Sequence, residues 1–115
     1  MTDTSKDKAK AFAALHRKGD PLVLYNIWDA GTAGAVAAAG AKALATGSWS
    51  VAAANGYADG EALPLETLVA VARSVVNATD LPVSIDFEGA YSDDPQRAAA
   101  NVALLMDLGA VGINF

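Results

Sequence analysis

Apolar runs alternate with segments of helical periodicity along the whole chain. Four runs predict strands: residues 21–28 (PLVLYNIW), 42–48 (KALATGS), 81–88 (LPVSIDFE) and 110–115 (AVGINF). Most are continuous rather than alternating, as expected of a parallel sheet with both faces covered. A polar lead-in opens a first helix over residues 5–18, with Ser5 or Thr4 able to cap it. Residues 30–39 (AGTAGAVAAA) form a small-residue helix closed by Gly40. Residues 64–78 place Leu65, Leu68, Val69, Ala72, Val75 and Val76 on one stripe, with Pro64 in the first turn. Residues 94–108 begin with Asp93 or Asp94 as cap and Pro95 at the first position. They carry Ala98, Val102, Leu105 and Met106 on one face and close at Gly109.

The order is therefore α-β-α-β-α-β-α-β, which implies parallel strands joined by right-handed crossovers. A doubly wound sheet and a (β/α)8 barrel (TIM barrel) both satisfy it. The last run, GAVGINF, ends on a strand without a covering helix. A (β/α)8 barrel takes about 250 residues, and this chain has 115. The expected fold is thus α/β, the first four β/α units of such a barrel behind a leading N-terminal helix. Residues 1–115 would form one N-terminal portion of the barrel domain.

Composition narrows the function classes. Hydrophobic residues make up 53% and charged residues 18%, a globular balance. The net charge of −5 argues against a nucleic-acid surface and a polybasic membrane anchor. No stretch reaches the roughly 18 apolar residues of a membrane helix, and the start carries no apolar signal core. There is no cysteine, hence no disulfide framework and no thiolate site, which fits a cytoplasmic protein.

Parallel α/β folds bind ligands at the carboxyl ends of their strands. The residues at those ends are Asn26, Trp28 and Asp29, then Gly47, Ser48, Trp49 and Ser50, then Asp86, Glu88 and Tyr91. Asp86 and Glu88 are two apart, a spacing that shares one face on a strand. The segment WSVAAANGYADGEALP holds Asp59 and Glu61 and is long for a connection, whose median is about 4 to 6 residues. Convergence of Asp59, Asp86 and Glu88 would suit Mg²⁺, which takes one or two carboxylates and keeps several waters. Zinc and a Ser–His–Asp site are disfavoured, since the one histidine, His16, lies in the first helix. GTAGAVAAAG lacks the GxGxxG spacing of a dinucleotide loop. Simpler readings exist for each residue. A D-x-E pair can be a solvated strand end, Asp59 in YADGE a turn residue, and Trp49 ordinary packing. His16 sits where it would favour a helix dipole.

The segments GDPLVLYNIWDAGTAGAVAAAGAKALATGSWSVAAANGYADGEALPLE, LPVSIDFEGAYSDDP and GAVGINF, in this order and spacing, resemble the isocitrate lyase/phosphoenolpyruvate mutase superfamily. The similarity lies with its short-chain branch of 2-methylisocitrate lyase-like and phosphoenolpyruvate mutase-like proteins, from about Phe12 to Phe115. The resemblance implies a (β/α)8 barrel assembled as a homo-oligomer, and a metal motif D-x-[DE]-x-G-Y-G at the end of strand three. Asp86 would ligate Mg²⁺ (or Mn²⁺) directly, and Glu88 would hold metal-bound water. Asp59 would be the acid that supports the metal and takes part in catalysis. Gly47, Ser48 and Trp49 would bind substrate oxygen through backbone N–H groups, and Asn26 and Asp29 match the strand-one motif. The implied reaction cleaves or forms a C–C or P–C bond next to a 2-oxo acid carboxylate, through a metal-stabilised enolate. The implied substrate is a small 2-oxo acid or related carboxylate.

Two motif glycines are replaced by Ala90 and Ser92. If position 90 needs positive φ, alanine is a strained choice. The chain also ends before the family's catalytic loop with its lysine, so on its own weak turnover or none is expected. Two other readings remain: a catalytically inactive half-barrel that binds or self-associates through its open sheet edges, and a flavodoxin-like domain.

Overall fold

The computed structural model describes residues 2–115. In chain order the elements are α1 (Asp3–Leu15), β1 (Asn26–Ile27), α2 (Ala30–Ala38), β2 (Leu44–Thr46), α3 (Ser48–Ala54), α4 (Leu65–Asn77), β3 (Val83–Asp86), α5 (Pro95–Asp107) and β4 (Gly112–Asn114). The alternation expected from the apolar pattern is present. It gains one helix, α3, inside the segment expected to be a loop. Its sequence SWSVAAA has no apolar stripe long enough to announce a helix, and its N-cap Gly47 makes no side-chain cap bond.

Local signals account for the helix ends. Thr2 caps α1 by accepting the Ser5 N–H, so the cap lies ahead of the Ser5 or Thr4 expected from sequence. Asp29 and Thr32 form a reciprocal capping box at the start of α2. Asp94 caps α5, with Pro95 in its first turn. Gly40 and Gly109 follow α2 and α5 with φ of +101° and +108°, the left-handed backbone that ends a helix.

The strands are shorter than the apolar runs that announced them. Single ladder bonds extend beyond their ends: Leu44 N–H to Pro82 O at 2.9 Å, Val111 N–H to Val83 O at 3.0 Å, and Phe87 N–H to Asn114 O at 2.9 Å. Around β1 the flanking residues Val23, Tyr25 and Trp28 are exposed.

All four strands are parallel, in the order β1-β2-β3-β4. A doubly wound sheet reverses its strand order part-way, which sends helices to both faces. Here there is no reversal, and right-handed crossovers in a constant direction put every crossover helix on one face. The flavodoxin-like alternative is therefore excluded by topology. The two faces differ as this winding requires. Ile27, Leu44, Val83 and Ile85 pack with Ala33, Leu68, Ala72, Val75 and Leu105 of the helices in one core. The other face carries a row in register, Asn26–Ala45–Ser84–Gly112, followed by Asp86 beside Asn114. These are small or polar side chains, suited to the inside of a barrel. Phe12 of α1 reaches this face: a Cβ added at Gly112 would lie 2.8 Å from its ring and 2.9 Å from Ser84 Oγ. Only glycine leaves room for that approach.

Candidate active site

The carboxyl ends of β2 and β3 carry the polar cluster. Asp86 ends β3 half-buried. Its Oδ2 accepts the Ser48 N–H at 3.2 Å. Its Oδ1 accepts the Glu88 N–H at 3.3 Å and the Asn114 side-chain amide at 3.3 Å. Ser48 opens α3, so its N–H has no partner inside the helix and is available to a carboxylate. Gly47, between β2 and α3, is a point of close approach: a Cβ there would meet Asn26 Nδ2 at 2.8 Å and Ser50 Oγ at 2.9 Å. The Asn26 amide therefore lies over Gly47, one residue from Ser48.

Glu88 does not continue the strand. Its φ is +55°, so the same-face argument for Asp86 and Glu88 fails. They are brought together instead by a tight turn in which Glu88 donates to Asp86. The Glu88 carboxylate reaches sideways to the other loop. Oε1 accepts the Gly60 N–H at 3.0 Å, and Oε2 accepts the Glu61 N–H at 3.2 Å. Glu61 returns the contact: its Oε2 accepts the N–H groups of Gly89 at 2.8 Å and Tyr91 at 3.0 Å. The Tyr91 hydroxyl donates to Leu63 O at 2.8 Å, and the buried Asn101 amide donates to Ala90 O at 2.8 Å. Position 90 has φ of +56°, so the turn does hold an alanine in left-handed backbone.

The electrostatics follow from like charges in one place. Hydrogen bonds from Glu88 and Ser48 side chains, with the Gly60 N–H, hold Asp59 below its usual carboxylate range. Burial pushes Glu88 up, and its hydrogen bond with Asp59 adds to the shift. Asp59 Oδ1 accepts the same Gly60 N–H at 3.0 Å that Glu88 Oε1 accepts, so the two neighbouring acids are driven apart in proton affinity, Asp59 down and Glu88 up. Among the described residues the one ion pair is Lys6–Asp3 in α1, so no basic side chain neutralises this cluster. Tyr91 is pushed up to about 12 by burial, with Glu88 and Glu61 adding to it.

Asn26, Gly47, Ser48, Asp59, Asp86 and Glu88 therefore form one connected set. The Trp49 side chain stands apart, 69% exposed, and only its backbone borders the set. Asp29 is occupied in capping α2. The acids are linked pairwise. Among the described residues no three His, Cys, Asp or Glu side chains surround a common point as metal ligands, so the expected convergence of all three acids on one cation is not seen. Glu61 and Asn101 are the members that the sequence did not single out. Glu61 carried a faint signal, its place in the same long segment as Asp59. Asn101 carried none, being one of several polar residues on its helix.

The family model described as phosphoenolpyruvate phosphomutase matches residues 12–115. The chain belongs to the phosphoenolpyruvate phosphomutase family. Among curated relatives, an uncharacterised protein of Mycobacterium tuberculosis strain H37Rv is 36% identical over 104 residues, covering 90% of this chain and 39% of the relative. A phosphonomutase-type protein from Burkholderia cenocepacia J2315 superposes with a TM-score of 0.93 at 49% identity, over 96% of this chain and 44% of that one. A lyase/mutase-type protein from the same organism gives a TM-score of 0.87 at 39% identity, over 96% and 40%. A 2,3-dimethylmalate lyase of the same superfamily shares the fold, with a TM-score of 0.77 at 21% identity. This family member spans about two-fifths of the length of these relatives. Its four parallel strands and their helices match the first part of the superfamily's (β/α)8 barrel.

Proposed function

We propose that these residues form the metal-binding end of a lyase- or mutase-type enzyme that makes or breaks a C–C or P–C bond beside a 2-oxo acid carboxylate. The carrying observation is the cluster in which Asp86 accepts the Ser48 and Glu88 N–H groups while Asp59 and Glu88 share the Gly60 N–H, without a basic side chain paired to any of them. Family membership supports the class of reaction. The activity belongs to a protein of the relatives' length, of which this chain would be the N-terminal part of one barrel domain.

The donor set fits Mg²⁺ or Mn²⁺. It consists of hard carboxylate oxygens, and one or two of them with water suffice for magnesium, so a triad is not required. Asp86 Oδ2 accepts one N–H and retains a lone pair. Asp86 would hold the ion directly, with Glu88 and Asp59 acting through water. Bound there, the ion supplies Lewis-acid polarisation of the substrate's oxygens. The chain's own residues orient the substrate. The Trp49 N–H at the start of α3 would stabilise a developing oxyanion, joined by the Ser48 N–H on its release from Asp86 Oδ2, and the Asn26 amide over Gly47 would fix a carboxylate. Asp59, which shares the Gly60 N–H with Glu88, would support the metal's water and take part in catalysis. The partners implied are a small carboxylate substrate and further copies of the chain, in the cytoplasm. No nucleic acid or membrane partner is proposed, and no described helix is long and apolar enough to cross a membrane.

A Mn²⁺ titration followed by electron paramagnetic resonance tests this reading. One site is expected in the wild-type chain and none in Asp86→Ala. Equal binding by both, or none by the wild type, refutes it.

The sheet edges favour a second reading, a catalytically inactive half-barrel that self-associates. Val23, Tyr25 and Trp28 flank or follow β1 and Phe115 follows β4, all exposed, and neither β1 nor β4 has an outer partner among the described residues. A light-scattering mass of a stable monomer would exclude it.

A further inference from the structure

We propose that Glu61 is the positioning residue of this site: its carboxylate holds the turn 88–91, left-handed at residues 88, 90 and 91, and so aims Asp86 and Glu88. The inference rests on the reading of those two acids as the metal-binding pair.

Four non-glycine residues among those described have positive φ: Glu61 (+66°), Glu88 (+55°), Ala90 (+56°) and Tyr91 (+58°). All lie in the two loops that meet at the acids. Such backbone persists only where its surroundings over-determine it. Successive N–H groups in such a turn point toward one side and create a concave nest for an anion. Here the anion is internal. Glu61 Oε2 takes the N–H groups of both Gly89 and Tyr91. The fit is close, since a Cβ at Gly89 would lie 3.1 Å from that oxygen. Glu88, in turn, takes the N–H groups of Gly60 and Glu61. Each loop therefore carries the carboxylate that orders the other. The same turn delivers the Glu88 N–H to Asp86 Oδ1. Without Glu61, two N–H groups lose their acceptor and the turn loses the anion that offsets its strain. Asp86 and Glu88 would then sample orientations in which they no longer face a common ligand.

The test compares Glu61→Ala, Glu61→Gln and Gly89→Ala in the full chain, by amide hydrogen exchange and Mn²⁺ titration. In Glu61→Ala the Gly89 and Tyr91 amides should exchange faster while those of α4 stay protected. The Mn²⁺ dissociation constant should rise about 10- to 100-fold, the range found when groups supporting metal ligands are removed. Glu61→Gln keeps an acceptor oxygen and should recover most of both readouts. Gly89→Ala should show a smaller change in the same direction, because it displaces the carboxylate without removing it. Unchanged Mn²⁺ affinity in Glu61→Ala, with binding intact in the wild type, overturns the role of Glu61 alone. No binding in the wild type overturns the metal reading and this proposal together.

Discussion

Ser48 donates its backbone N–H to Asp86 Oδ2 at 3.2 Å, tying the first turn of α3 to the end of β3. The bond exists because a helix's first N–H groups have no internal partners and because parallel strands end side by side. It can be removed without removing the helix. Proline fits the first helical position, and Gly47 before it already has the extended backbone that proline demands (φ −109°, ψ 130°). Ser48→Pro deletes the N–H and the hydroxyl, whereas Ser48→Ala deletes the hydroxyl alone. Bonds to charged groups contribute about 1.5–3 kcal/mol, and proline recovers about 0.4–1 kcal/mol through the unfolded state. Ser48→Pro should therefore be less stable than Ser48→Ala by about 1 kcal/mol, as read by urea denaturation. Equal stability would mean that the bond contributes nothing.

Asn101 is 6% exposed and spends its amide on Ala90 O. Asn101→Ala leaves that carbonyl without a partner inside the protein. The expected loss is about 1–3 kcal/mol, the cost of an unsatisfied buried acceptor. A denaturation midpoint equal to wild type would show that water replaces the amide freely.

Ala90 is both left-handed and 1% exposed. Glycine would relieve about 1–2 kcal/mol of left-handed strain. It would also lose about 0.8 kcal/mol from the buried methyl and about 0.5–1 kcal/mol of chain entropy. These nearly cancel, so Ala90→Gly should shift stability by less than about 1 kcal/mol in thermal melts. That balance explains how the turn accepts the alanine that the family motif lacks. Ala90→Val, with a branched Cβ in the same backbone, should destabilise clearly.

The Tyr91 phenol, pushed up to about 12 by burial, stays neutral in the folded chain after it would ionise in the unfolded one. The folded state then binds the extra proton, so this group's contribution is complete below about pH 10, the ordinary tyrosine value. It is lost as pH rises toward 12. Stability should fall over that window, and Tyr91→Phe should flatten the fall. A parallel pH dependence in wild type and variant would count against it.

Much of the architecture is legible in the primary structure because its signals are local. Asp29, Asp94 and Pro95 mark helix starts, Gly40 and Gly109 mark ends, and the continuous apolar runs mark strands covered on one face by helices. Asp86 and Glu88 stand out for their place at a strand end, and Asp59 for its place in the long segment after strand two. The helix α3 was hidden because a short run of Ser, Val and Ala has no periodicity to read. Asp86 and Glu88 looked like neighbours on one strand face, yet they meet through a turn, because a period of two holds only while the backbone stays extended.

The sequence by itself determined the order of elements, their caps and the crowding of carboxylates near the ends of strands two and three, since each depends on residues a few positions apart. The tertiary structure alone decided the singly wound strand order and the pairing of Asp59 with Glu88. It alone also decided the exchange in which Glu61 and Glu88 order each other's loops. Those contacts join residues 27 to 30 positions apart. Their geometry comes from the parallel pairing of β2 with β3, which sets the loops after them side by side and which no local pattern encodes.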